Sequence, residues 1–137
     1  MATFDLELVS PEKLLLSRPV EMAIIPAAEG DMGVLPGHSP MIVALKGGVI
    51  EVREAGKQPE RLFVAGGFAE ITPTRMTVLA DEATPVAELS RAQAETRMRE
   101  AQAAYEAAAA SGTPEAREAA MDRYLATRKM VDVAGAA

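Results

Sequence analysis

A chain of 137 residues with no cysteine and 49% hydrophobic residues is long enough for one good core or two small modules, without disulfide staples. A formal charge of −6, with a pI near 4.8, excludes a nucleic-acid reader, because neutralising phosphates requires a basic face. No basic segment leads into an apolar one at the N-terminus, and no run approaches the roughly 18 apolar residues of a membrane span. A cytosolic chain with no direct membrane insertion is expected, reaching a membrane only through a partner.

Phe4, Leu6 and Leu8 alternate with Asp5 and Glu7, a period of two that places the apolar side chains on one face of a strand. Further short strands are predicted at Leu14–Leu16, Val20–Ile25, Met41–Leu45, Val49–Arg53, Arg61–Ala65, Phe68–Ile71 and Met76–Leu79. Turn signals separate them, among them Ser10-Pro11, Gly47-Gly48, Ala55-Gly56-Lys57, Gly66-Gly67 and Thr72-Pro73-Thr74. The pattern predicts an antiparallel β-sandwich or flattened barrel over residues 1–84. Met41, Ile42 and Val43 read either as core strand, which their composition favours, or as an apolar docking face.

Between the second and third of these groups lies the run A-E-G-D-M-G-V-L-P-G-H-S-P, Ala28 to Pro40. Its three glycines and two prolines predict a rigid, shaped loop, because Gly accepts positive φ and Pro fixes it. Glu29 and Asp31 read as turn acids at its tip. His38, the single histidine, has a side chain suited to a general base or a metal ligand. Neither role is supported by neighbouring motif residues, so a turn histidine bonded to its own loop is expected.

Gly and Pro concentrate before Pro85 and alanine dominates after it, which marks a boundary near Thr84-Pro85 and a helical module over 85–137. Val86 to Ala110 holds no Gly or Pro and predicts one long helix, with Arg91, Glu95 and Arg99 as an i,i+4 ladder. Its apolar stripe is Ala94, Met98, Ala101, Tyr105 and Ala108. Ser111-Gly112-Thr113-Pro114 breaks it, with Thr113 as N-cap and Pro114 at the first helical position. A second helix runs to about Val131 with Ala116, Ala120, Tyr124, Met121 and Leu125 as its apolar side, completing an antiparallel two-helix hairpin in an α+β chain. Alanine-lined contacts bury little area, so this hairpin is expected to open easily.

V-S-P-E-K-L-L-L-S (Val9 to Ser17), the E-G-D-M-G run, G-G-F-A-E-I (Gly66 to Ile71) and M-T-V-L-A-D-E-A (Met76 to Ala83) together resemble the ε subunit of bacterial F-type ATP synthases, over residues 3 to 84. The resemblance implies a ten-stranded sandwich in a non-catalytic rotor subunit of the central stalk, peripheral on the cytoplasmic face of the inner (plasma) membrane. It implies that Glu29, Gly30, Asp31, Met32 and Gly33 face the polar loops of the membrane c-ring. His38, Met41, Ile42 and Val43 would then face the γ subunit. The helical hairpin would brake ATP hydrolysis, with Arg117, Arg123, Arg128 and Lys129 reaching acidic surfaces of the α/β catalytic subunits.

Some members bind ATP through I/L-D-x-x-R-A, which here reads A-E-L-S-R-A, Ala87 to Ala92. Arg91 and Ala92 match, whereas Ala87 loses the aliphatic contact and Glu88 lengthens the carboxylate. No cofactor is expected, and at most weak ATP binding through Glu88 and Arg91. Two other readings compete: a free-standing adaptor whose sandwich binds a ligand, and a small enzyme using His38 with Asp31 or Glu29.

Overall fold

A computed structural model describes residues 2–136 of the chain, which divides into two compact units, Met1–Pro85 and Val86–Ala137. The first unit is all strand: β1 (Phe4–Val9), β2 (Leu14–Val20), β3 (Met22–Ala27), β4 (Gly30–Val34), β5 (Met41–Leu45), β6 (Gly48–Arg53), β7 (Glu60–Val64), β8 (Gly67–Ile71), β9 (Arg75–Ala80) and β10 (Ala83–Pro85). β3 is the pivot. It pairs with β4 on one side, and with β6 and then β5, through Ala27 and Leu45, on the other. The ladder therefore reads as two five-stranded layers, β4-β3-β6-β7-β10 and β5-β8-β9-β1-β2, joined where β3 hands over to β5.

Residues that alternate along the strands fill the space between the layers. Phe4, Leu6 and Leu8 of β1, Ala23 and Ile25 of β3, Ile50 and Val52 of β6, Leu62 and Val64 of β7, Ala69 and Ile71 of β8, and Met76, Val78 and Ala80 of β9 form one buried cluster. Apolar burial of this kind is the main stabilising term of such a domain.

Four features depart from the sequence reading. The sheet is not wholly antiparallel, because β1 runs parallel to β9, with Leu6 opposite Met76 and Leu8 opposite Val78. Parallel neighbours need a long connection, and here the rest of the domain supplies it. Val20–Ile25 is not one strand: the chain breaks at Glu21, whose amide donates to the Arg53 carbonyl at 2.9 Å while the strand passes from one layer to the other. The glycine-rich run is half strand, since Gly30–Val34 pairs along β3 from Ala27 to Ala23. Finally, the boundary near Thr84-Pro85 lies inside a short edge strand, β10, which ends in Pro85 as an edge strand tolerates.

The second unit opens with a 3-10 turn, Val86–Glu88, followed by α1 (Arg91–Ser111) and α2 (Pro114–Ala136). The first helix thus begins five residues later than expected. Ser90 caps it, its hydroxyl accepting from the Gln93 amide at 3.2 Å, and the S-R-A-Q spacing is a capping-box signal. Gly112 ends it, its amide donating to the Ala108 carbonyl at 2.7 Å. Thr113 caps α2 by accepting from the Ala116 amide at 3.1 Å, with Pro114 at the first helical position as expected. α2 runs past Val131 to Ala136.

The two helices pack antiparallel, and Arg97 near the start of α1 reaches Met130 Sδ near the end of α2. Their buried residues are small or few: Ala94 and Ala101 on α1, and Ala126, Thr127 and Met130 on α2. The α2 stripe lies partly elsewhere than expected, with Ala116 and Leu125 exposed. Of the ladder on α1 one rung forms, Arg91 Nε to Glu95 Oε1 at 3.0 Å, while Arg99 bonds Thr96 Oγ1 at 3.3 Å.

Candidate functional site

The β3–β4 hairpin turns through Ala28 and Glu29, with Ala27 opposite Gly30. Gly30 takes φ +141°, which a side chain would resist, so glycine is required where the turn re-enters the strand. Alternation then divides the tip. Glu29, Asp31 and Gly33 are exposed, Gly30 is half-buried, and Met32 packs against the sandwich core. The tip therefore presents two carboxylates on a hairpin anchored from below by Met32.

Leu35-Pro36-Gly37-His38 is a tight turn, with the His38 amide donating to the Leu35 carbonyl at 3.2 Å and Gly37 at φ +85°. Gly37 also donates to Pro73 O at 2.8 Å, tying this turn to the one between β8 and β9. His38 Nδ1 lies 2.8 Å from the Ser39 carbonyl, a bond within its own loop. Among the described residues no group of three or more His, Cys, Asp or Glu could hold a metal ion.

An exposed apolar surface lies on the outward side of the β5-β8-β9-β1-β2 layer. Strand register places Ala44, Phe68, Leu79, Val9 and Leu14 opposite one another, one from each strand, as a continuous cross-strand row. Phe68, Leu79 and Leu14 are 58, 54 and 55% exposed. In the adjacent row stand Ile42, Glu70, Thr77, Glu7 and Ser17, and Ile42 is 71% exposed. Met41, at the start of β5, is also exposed, whereas Val43 turns inward onto the core.

The core reading of Ile42 is thus corrected and that of Val43 holds, while Met41, opposite buried Ile71, lies at the exposed rim of the core side. Phe68, Leu79 and Leu14 were missed as surface candidates, although a signal existed. Phe68-Ala69 and Val78-Leu79 put apolar residues on both faces of their strands, a pattern of strands covered on both sides.

On the helical unit, Glu88 and Arg91 are both exposed, and Arg91 is engaged by Glu95. Arg117, Arg123, Arg128 and Lys129 are exposed along α2. At 100° per residue Arg117 and Arg128 share a face, while Arg123 and Lys129 point away from it on opposite sides. Glu115, Glu118 and Asp122 stand among them, so the basic groups do not converge.

These features match known proteins. The family model of the ATP synthase delta/epsilon chain β-sandwich domain matches residues 3–86. The ATP synthase epsilon chain of Granulibacter bethesdensis is 58% identical over 134 residues, covering 98% of each chain. That of Gluconacetobacter diazotrophicus is 42% identical over 135 residues, covering 98% of this chain and 95% of the relative. A cryo-EM structure of the Euglena gracilis mitochondrial ATP synthase with OSCP, F1 and c-ring contains a chain that superposes with a TM-score of 0.76 at 25% identity, covering 95% of this chain and 80% of that one. A chain of the Tetrahymena thermophila central stalk and c-ring structure shares the fold, with a TM-score of 0.68 at 14% identity and 96% of each chain covered. With the sandwich matched from end to end and the likeness to epsilon chains extending through both helices, the chain belongs to the ATP synthase delta/epsilon family, as a non-catalytic subunit of that complex.

Proposed function

We propose that this subunit couples the rotor by gripping two partners at once, the γ subunit on the outward face of the β5-β8-β9-β1-β2 layer and the c-ring at the β3–β4 hairpin tip. The observation that carries this reading is the five-strand row Ala44, Phe68, Leu79, Val9 and Leu14, apolar from edge to edge and open on one side. Exposed apolar surface of this continuity marks an interface. Ile42 extends it along β5, and His38 sits at the end of the loop that enters that strand.

The tip suits a different contact. Glu29 and Asp31 offer two carboxylates to basic polar loops of the c subunits, and charge complementarity there sets register more than affinity. A part that turns with the ring needs a fixed register. Gly30 takes the positive φ where the turn re-enters the strand, and Met32 holds the hairpin down. In this reading the chain is peripheral to the membrane, on its cytoplasmic face, and no helix among its described residues is long and apolar enough to cross one.

The alanine-lined hairpin of α1 and α2 is the regulatory part. Its shallow packing allows opening, after which Arg117, Arg123 and Arg128 would reach acidic surfaces of the catalytic α/β subunits and slow ATP hydrolysis. ATP contact by Glu88 and Arg91 is at most weak, since Arg91 already has Glu95 as its partner.

Docking is tested with the double variant Phe68→Ala/Leu79→Ala. Truncating two central apolar anchors of an interface removes about 2 kcal/mol or more, so affinity for the γ-containing complex is expected to fall by at least about 30-fold. Unchanged affinity would remove this face from the γ interface.

A further inference from the structure

We infer that Glu70 determines specificity on the docking face, by requiring a lysine or arginine of the γ subunit directly opposite it. This rests on the reading that the face docks γ, and it identifies the chemistry the partner must bring. Among the strand residues of this face, Asp5, Glu7 and Glu70 point outward against one cation, Arg75. Arg75, the other diagonal neighbour of Glu70 on β9, leans to Glu7 instead, with Nε 3.7 Å from Oε1. The surface beside the apolar row is therefore negative before any partner arrives.

Glu70 is the acid that docking affects most. In its row it stands between Ile42 of β5 and Thr77 of β9, and Phe68 projects from the same face two residues back along β8. Leu79 is its diagonal neighbour on β9, close enough for long side chains to meet. Ile42, Phe68 and Leu79 are each more than half exposed, so a partner that covers them also strips water from the Glu70 carboxylate. A desolvated carboxylate is costly unless a cation and hydrogen bonds replace its water. A γ surface with an apolar strip alone would dock poorly, whereas one carrying a lysine or arginine beside that strip is accepted and held in a single register. Glu7, already paired with Arg75, makes no such demand.

The test titrates the full-length chain into ATP synthase complex depleted of it, at low and near-physiological salt, comparing wild type, Glu70→Gln, Glu70→Lys and Phe68→Ala. Circular dichroism spectra like the wild type's are expected for all, since both positions are exposed. Glu70→Gln is expected to weaken binding about 10-fold and to flatten its salt dependence, and Glu70→Lys to weaken it about 100-fold or more. Phe68→Ala is expected to weaken binding while keeping the wild-type salt response. If Phe68→Ala weakens binding but Glu70→Gln matches the wild type in affinity and salt response, the inference about Glu70 is overturned while docking on this face stands. If Phe68→Ala and both Glu70 variants bind like the wild type, the face itself is not the γ interface.

Discussion

Two glycines of the sandwich carry similar backbone angles for different reasons. Gly67 has φ +140° and lies against β9, where an added Cβ would collide with the Leu79 carbonyl oxygen and press on Ala80 Cα. Gly30 has φ +141°, yet nothing lies within 4 Å of the place a Cβ would take. Both substitutions to alanine meet the backbone strain, about 1 kcal/mol or more, and only Gly67→Ala also meets the backbone of the neighbouring strand. Urea denaturation is expected to show a loss of about 1 kcal/mol for Gly30→Ala and about 3 kcal/mol or more for Gly67→Ala. Equal losses would mean that the close approach of β8 to β9 is not what demands glycine at position 67. Side-chain ion pairs act at longer range in the same unit, where Arg18 on the outer strand β2 pairs with Glu54, Nε to Oε2 at 2.8 Å, and with Glu60, drawing the β6–β7 turn onto that strand. These pairs are partly exposed, so they contribute modestly.

At the scale of elements, the division of labour follows from where the core lies. Every residue of the buried cluster falls between Phe4 and Ala80, and none comes from α1 or α2. Deleting residues 86–137 is therefore expected to leave a folded sandwich that still binds the γ-containing complex. A strand-type circular dichroism spectrum and retained affinity are the predicted results, whereas an unfolded fragment, or one that no longer binds, would contradict the assignment of docking to the strands. Which elements were legible in the sequence depended on how local their cause was. The alternation Phe4-Asp5-Leu6-Glu7-Leu8 names β1 outright, and Thr113-Pro114 marks the start of α2, because one strand face or one cap decides each. The β4 strand was hidden because Gly30 and Gly33 read as turn residues, while pairing with β3 alone made the run extended. The start of α1 was misplaced because Val86–Leu89 has good helix formers, and the Ser90 cap with Gln93 outweighs them. The parallel pairing of β1 with β9 depends on contacts across most of the domain, which no local pattern records. For the docking face the limit was different. Alternation tells which side of a strand is apolar, but Leu79 and Phe68 become recognisable as surface only once β9 and β8 are placed beside each other with Val78 and Ala69 filling the core.

In the function proposed for the whole molecule, a non-catalytic subunit transmits torque by holding γ on one surface and the c-ring on another. Glu29 and Asp31 are the most accessible handle on the second grip, because they are exposed on a hairpin whose stability comes from Met32 and the β3 ladder. Reversing both charges, Glu29→Lys with Asp31→Lys, is expected to change folding stability by less than about 0.5 kcal/mol. The decisive measurement is ATP-driven proton pumping per ATP hydrolysed, in membranes whose ATP synthase carries the wild-type chain, lacks the chain, or carries this double variant. Hydrolysis is expected to continue in all three, while pumping per ATP is lost without the chain and reduced by the double variant. Equal pumping per ATP in all three membranes would rule out a coupling role for the chain and its hairpin tip.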